Sequence, residues 1–250
     1  ASDVYKRQYK KDLKITDYLN SNILIILIFI LGMISSVLIL IFIYDEKVPG
    51  LQGVQKGLQL AEKMSKAMNK SSYDSLSFIS WKYGSHHYEW NKKEDSVKVI
   101  WSSFKVNFST QTQEGMVCQG GIILKGDQNT EIVEKAIRYF NNDSFWLVAP
   151  YKIYDPGVKL NSVILPVGHG LMVTYTQGGS TPGDTYLWIL DENYFPRAWK
   201  MWVKMLPVGG IKSKWLGWQK RKGAWFPGNF ETLYSVSYTH LRAHETPEHL

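Results

Sequence analysis

Hydrophobic positions along this chain follow three regimes. The first is one unbroken run, ILIILIFILGMISSVLILIFIY, from Ile23 to Tyr44, without a charge. As a helix it spans roughly 33 Å, the thickness of a bilayer hydrocarbon core. Seventeen of its 22 residues are Ile, Leu, Val or Phe, whose insertion gains of about 0.3–0.6 kcal/mol each sum to roughly 5–10 kcal/mol. Gly32, Ser35 and Ser36 dilute it, and a Ser hydroxyl can bond back to the helix backbone. A cleaved signal would have a shorter apolar region and a small-residue cleavage site, but this run ends FIYDEK. The pattern predicts an uncleaved single-pass transmembrane helix over 23–44. Lys10, Lys11 and Lys14 precede it, and Asp45, Glu46 and Lys47 follow. The positive-inside rule makes 9–22 a cytoplasmic flank and puts the C-terminal part outside the cytoplasm, on the periplasmic side of a cell envelope.

The second regime is helical. After a Gly-containing linker over 45–57, LQLAEKMSKAMNK places Leu58, Ala61, Met64 and Met68 on one stripe. TEIVEKAIRYF repeats the pattern with Ile132, Val133, Ala136, Ile137 and Phe140.

The third regime has period two. LSFISWKY, HHYEWN, SVKVIW and FKVNFS alternate, and the first two are joined by Gly84-Ser85, which is hairpin chemistry. KLNSVIL, LMVTYT, TYLWILD, RAWKMWV, IKSKWLGWQ and AWFPGNF follow, separated by VGHG, GGSTPGD, DEN, PVGG and KRKG. Short strands at near-regular spacing with few helices predict an α+β fold. It is one N-terminal transmembrane helix followed by a curved antiparallel β-sheet with about two helices, the domain covering 58–235.

Both ends of the chain carry a second pattern. SDVYKRQ near the start and VSYTHL near the end can be written in codons that are reverse complements of one another. The shared sequence resembles the mosaic end of transposon adapters used in sequencing libraries. Residues 1–8 and 236–250 are therefore expected to be adapter-derived and are set aside. The His240, His244, His249 spacing, which would otherwise suggest a metal site, goes with them.

Composition then narrows the chemistry. Net charge is +7, which suits an anionic surface such as lipid head groups and is no nucleic-acid signature alone. The single cysteine, Cys118, excludes an intramolecular disulfide and reads as a buried structural thiol. His86 and His87 are adjacent in a strand and point to opposite faces, so they cannot share a metal. His169, between Gly168 and Gly170, reads as a turn tip. QGGSTPGDTY leads into a strand and lacks a Gly-Lys-Ser/Thr ending, so it is a turn and no phosphate cradle. Asp143, Asp155, Asp184 and Asp191 sit in turn-like contexts and read as caps and Asx-turns. Asp143 and Asp184 would act as an acid/base pair only at a separation that sequence does not show. No catalytic residue, cofactor or metal is assigned. Lys220, Arg221 and Lys222 read as a solvated hairpin tip, with contact to anionic head groups as the alternative.

The aromatics remain. All ten Trp lie between Trp81 and Trp225. In RAWKMWV, Trp199, Met201 and Val203 share one face, and Lys200 and Trp202 the other. Either helices cover one face, or an apolar groove is open to a ligand, with Trp146, Trp188, Trp199 and Trp202 as its candidate lining.

The segments YFNNDSFWLVAPYKIYDPGVKL and LMVTYTQGGSTPGDTYLWILDENYFPRAWK resemble bacterial envelope proteins with a lipoprotein-carrier-like fold, related in architecture to the carrier LolA and its receptor LolB. The matching pieces are Asp143, Phe145-Trp146, Pro150, Asp155-Pro156-Gly157 and Thr181-Pro182-Gly183-Asp184-Thr185-Tyr186. The resemblance covers about 58–235. It implies a half-open barrel wrapped around helices, with a cavity able to take acyl chains. The membrane helix departs from the cleaved signal of such carriers and argues against a soluble shuttle. The expected function is a membrane-anchored envelope protein that binds a lipid, a lipoprotein or another hydrophobic ligand. The alternative is an interaction module that docks another envelope protein. The expected partners are the bilayer and such a ligand, not nucleic acid.

Overall fold

The computed structural model describes residues 2–177, 182–232 and 235–244, with 2–21 and 235–244 described by backbone alone. The chain divides into two compact units, Ala1–Glu46 and Lys47–Leu250. The first is a single helix, α1 (Ser2–Tyr44). Its Asn22–Tyr44 part is long and apolar enough to cross a membrane, and none of its apolar window is buried against protein. Ser36 Oγ donates to the carbonyl of Gly32 at 2.8 Å, so this hydroxyl is satisfied within the helix.

The second unit is built on antiparallel strands. β1 (Phe78–Tyr83), β2 (His86–Asn91), β3 (Ser96–Trp101), β4 (Phe104–Phe108), β5 (Gly115–Gln119) and β6 (Ile122–Ile123) form one meander. β7 (Val158–Val163), β8 (His169–Tyr175), β9 (Thr185–Leu190), β10 (Pro196–Trp202), β11 (Ile211–Leu216) and β14 (Asn229–Thr232) form another. β12 (Gln219–Arg221) and β13 (Ala224–Phe226) make a separate hairpin between β11 and β14 in sequence. β15 (Ser235–His244) pairs with β14 on one side and β1 on the other, and so joins the two meanders. It falls almost wholly on the segment expected to be adapter-derived. The outermost strands, β6 and β7, do not meet, so the sheet stays open.

Local chemistry explains most of these elements. Gly84 takes φ +55° in the tight turn that pairs Tyr83 with His86. In β3 the alternate residues Val97, Val99 and Trp101 are buried. The segment expected to be one strand, IKSKWLGWQ, divides at Gly217, where φ is +61°. AWFPGNF divides at Pro227, which lacks a ladder donor. Lys222 and Gly223, both at positive φ, form the tip of the β12–β13 hairpin, as expected for KRKG.

Among the described residues, three α-helices accompany the sheet, where about two were expected. α2 (Val54–Ala67) begins inside the expected linker and packs on β7 and β8. The approach is close: a Cβ on Gly57 would stand 2.7 Å from the Asn161 backbone. α3 (Lys70–Ser75) lies against β13. α4 (Gly126–Val148) is much longer than its TEIVEKAIRYF core. It packs on β4 and β5 near its start, while Phe145 and Trp146 reach Trp188 and Trp199 near its end.

Candidate functional site

The aromatic layer under the end of α4 brings three of the four groove candidates together. Trp188 on β9 and Trp199 on β10 are direct cross-strand partners, and both are 0% exposed. Trp146 stacks on Trp199 at 5.2 Å and meets Phe230 at 5.1 Å. Phe145 meets Tyr186 at 4.7 Å and Trp188 at 6.2 Å. Trp202 is on the opposite face, packed against Val163, Met172 and Leu187. The four therefore do not form one wall; the period-two geometry of β10 separates Trp199 from Trp202. Nor is the face bare, since α4 covers it.

Hydrogen bonding in this layer is incomplete. Trp215 Nε1 donates to the carbonyl of Trp146 at 3.0 Å and pins the end of α4 to β11. Trp188 Nε1 and Trp199 Nε1 are buried without an acceptor. A buried donor left unmatched costs about 1–3 kcal/mol. Both indoles lie among aromatic rings, and each meets Trp215, at 5.2 Å and 4.3 Å.

Asp143 is not a turn residue. It lies within α4, 4% exposed. One carboxylate oxygen accepts from Tyr88 Oη at 2.5 Å and faces His86 Nδ1 at 2.8 Å. Asn142 Nδ2 donates to the other at 2.9 Å. His86 is stacked on Tyr139 at 4.2 Å. Burial, and then the Asp143 carboxylate, push the Tyr88 hydroxyl well above the usual tyrosine range. The cluster ties α4 to β2. Sequence reasoning missed it, although His86 and Tyr88 share a strand face. His87 lies on the other face with Glu89 at 3.4 Å, as the strand period requires.

The remaining candidates hold turns. Asp184, 4% exposed, accepts the Lys204 N–H at 3.0 Å. The Pro182 carbonyl accepts from Lys204 Nζ at 2.6 Å. Asp155 pairs with Lys152 at 2.6 Å. Gly157 has φ +79°, and a Cβ there would stand 2.1 Å from the Gln177 side chain. Thr181 lies outside the described residues. Asp191 accepts the N–H groups of Asn193 and Phe195, both at 2.9 Å, as an Asx-turn should. His169 opens β8 and stacks on Tyr194 at 4.4 Å. Cys118 is half-buried in β5, less enclosed than expected. Among the described residues, no three His, Cys, Asp or Glu side chains are grouped to hold a metal ion.

No protein family matches this chain, and neither does any curated protein. One solved structure that resembles it is a DUF1329 family protein from Desulfovibrio piger. The two are 12% identical, with a TM-score of 0.41 over 76% of this chain and 92% of the other. No functional reading follows from a likeness at that level.

Proposed function

We propose that this is a membrane-anchored envelope protein whose β unit, on the periplasmic side, binds an amphiphile such as a lipid or lipoprotein acyl chain. The ligand enters the aromatic layer between α4 and β9–β11. The observation that supports this reading is the pair of buried, unmatched indole donors, Trp188 Nε1 and Trp199 Nε1. Acyl burial supplies affinity at roughly 25 cal/mol per Å², and the ligand's oxygens take up the two donors. Entry requires the end of α4 to lift, which breaks the Trp215–Trp146 bond.

The test uses the fact that every Trp lies between Trp81 and Trp225 and none lies in α1. The full chain is placed in nanodiscs of lipid brominated on its acyl chains, a short-range quencher. Uptake of a chain into the β unit quenches Trp emission, and Trp188→Phe with Trp199→Phe reduces that quenching. Emission equal to that in unbrominated discs would sink the reading.

A second reading is a module that docks another envelope protein. The α4 cover, closed by the Trp215–Trp146 bond, favours it. Crosslinking to one defined partner, without quenching in the brominated discs, would distinguish the two.

A further inference from the structure

One surface feature of the β unit is electrostatic. Beside α2 lies an open cleft of about 410 Å³ whose lining includes Gln52, Lys56, Lys63, Ser162, His169 and Tyr194. No Asp or Glu lines it. Lys63 Nζ donates to Tyr194 Oη at 2.9 Å. The His169 ring is stacked on the same tyrosine. Lys56 stands in the first turn of α2, which has no acidic residue and no side-chain cap. A cation there adds to the positive end of the helix dipole, an unfavourable arrangement that a bound anion reverses. Ser162, 5% exposed, has a buried Oγ with no partner, although its backbone bonds Gln52 and Gly53. Two cationic side chains, a histidine, an unmatched hydroxyl and no carboxylate make an anion site.

Its surroundings indicate which anion. The loop from β7 to β8 forms one wall, where Ile164 is 74% exposed; Val167, 76% exposed on the same loop, lines the neighbouring cleft with Asp191, Glu192 and Arg197. Exposed aliphatic side chains beside a basic cleft suit the boundary between lipid head groups and acyl chains. The chain is also short here. Gln52 N donates to Ser162 O at 2.8 Å. Only residues 45–51 lie between that bond and the end of α1, at most about 25 Å of fully extended chain.

We propose that this cleft binds the phosphodiester of an anionic lipid. Lys56, Lys63 and Ser162 meet the phosphate oxygens, and Ile164 and Val167 enter the interfacial layer. The site is distinct from the aromatic layer under α4 and does not depend on a ligand there.

The test uses the full chain with Cys118→Ser and Val167→Cys, labelled at 167 with the environment-sensitive dye NBD. It is placed in nanodiscs of phosphatidylcholine alone or mixed with phosphatidylglycerol. The dye's emission should rise about twofold or more and shift to the blue in the anionic discs, and lose most of that change at high salt. Lys56→Gln with Lys63→Gln, which removes charge without touching the core, should return the emission to its neutral-disc value. Equal emission in both kinds of disc, or a response that survives loss of both lysines, would overturn the proposal. If inorganic phosphate produces the same change in neutral discs, the occupant is a soluble phosphate and the lipid assignment is likewise overturned. Brominated-chain quenching reads the other site, so either result can fail alone.

Discussion

Trp188 and Trp199 face one another across β9 and β10, wholly buried, and neither indole N–H finds an acceptor. Replacing each with Phe removes an orphan donor worth about 1–3 kcal/mol and also removes packed ring atoms. The two effects oppose, so the double variant should change ligand-free stability by less than about 2 kcal/mol. Its stabilisation by added amphiphile should shrink clearly. Urea unfolding with and without amphiphile measures both. A ligand-free loss well beyond that range would mean the indoles serve packing alone.

Asp143 offers the opposite case, a buried carboxyl group hydrogen-bonded through both of its oxygens. Asp143→Ala leaves the Tyr88 hydroxyl only the His86 Nδ1 contact at 3.2 Å and takes the acceptor from Asn142 Nδ2, and should cost about 1–3 kcal/mol. Tyr88→Phe in the Asp143→Ala background should cost less than in the wild type, because the hydroxyl it removes has already lost its shorter bond. A double-mutant cycle in denaturant measures the coupling. Strict additivity would show that the hydroxyl and the carboxylate do not act together.

Gly57 gives a prediction of sign. In an exposed helix interior, Gly→Ala stabilises by about 1 kcal/mol. Here the new Cβ would stand 2.7 Å from the Asn161 backbone, which cannot rotate away. Gly57→Ala should therefore destabilise, because α2 must lift from β7. A melting temperature at or above that of the parent would contradict this close approach.

What was legible in the sequence follows from how local each signal is. The apolar run and the Gly84-Ser85 hairpin depend on neighbours in sequence, and the structure reproduces both. The opposite faces of Trp199 and Trp202 were read from period two alone. α4 was read only to Phe140, because NNDS looks like a turn. In the fold, Asp143 and Ser144 are buried and tertiary contacts override propensity. β5 was missed because Met116-Val117-Cys118 is short and bounded by glycines. The Asp143 cluster joins residues more than fifty positions apart, and the cleft beside α2 joins three separate segments. Neither has a local signature.

Alkaline pH should act on this fold in two stages. Lys92 donates to the Tyr73 carbonyl at 2.7 Å, and burial brings its pKa down to about 8 from 10.5. Between those values the unfolded chain holds more protons than the folded one, so stability should rise with pH from about 8. Buried Tyr73, Tyr88, Tyr151, Tyr175 and Tyr186 have pKa values raised above 10.0, chiefly by desolvation. Their contribution is intact below that value and is lost above it, as the unfolded tyrosines ionise first. The melting temperature should pass through a maximum near pH 10. Lys92→Met should flatten the rising limb and leave the fall. A decline beginning at pH 8 in the parent would refute the reading of Lys92.

The seam between the two meanders allows a last prediction. β15 pairs with both β14 and β1. A ladder is made of backbone groups and accepts many extended sequences, so the slot itself is less selective than the core beneath it. A chain cut after Thr232 keeps β1 to β14 but exposes two facing edges. Such edges pair with other chains. The shortened chain in detergent should self-associate with rising concentration in sedimentation velocity. A synthetic extended peptide supplied in excess should suppress this by filling the slot. A shortened chain that stays monomeric without the peptide would show that β1 and β14 close on one another, and that the strand between them is dispensable.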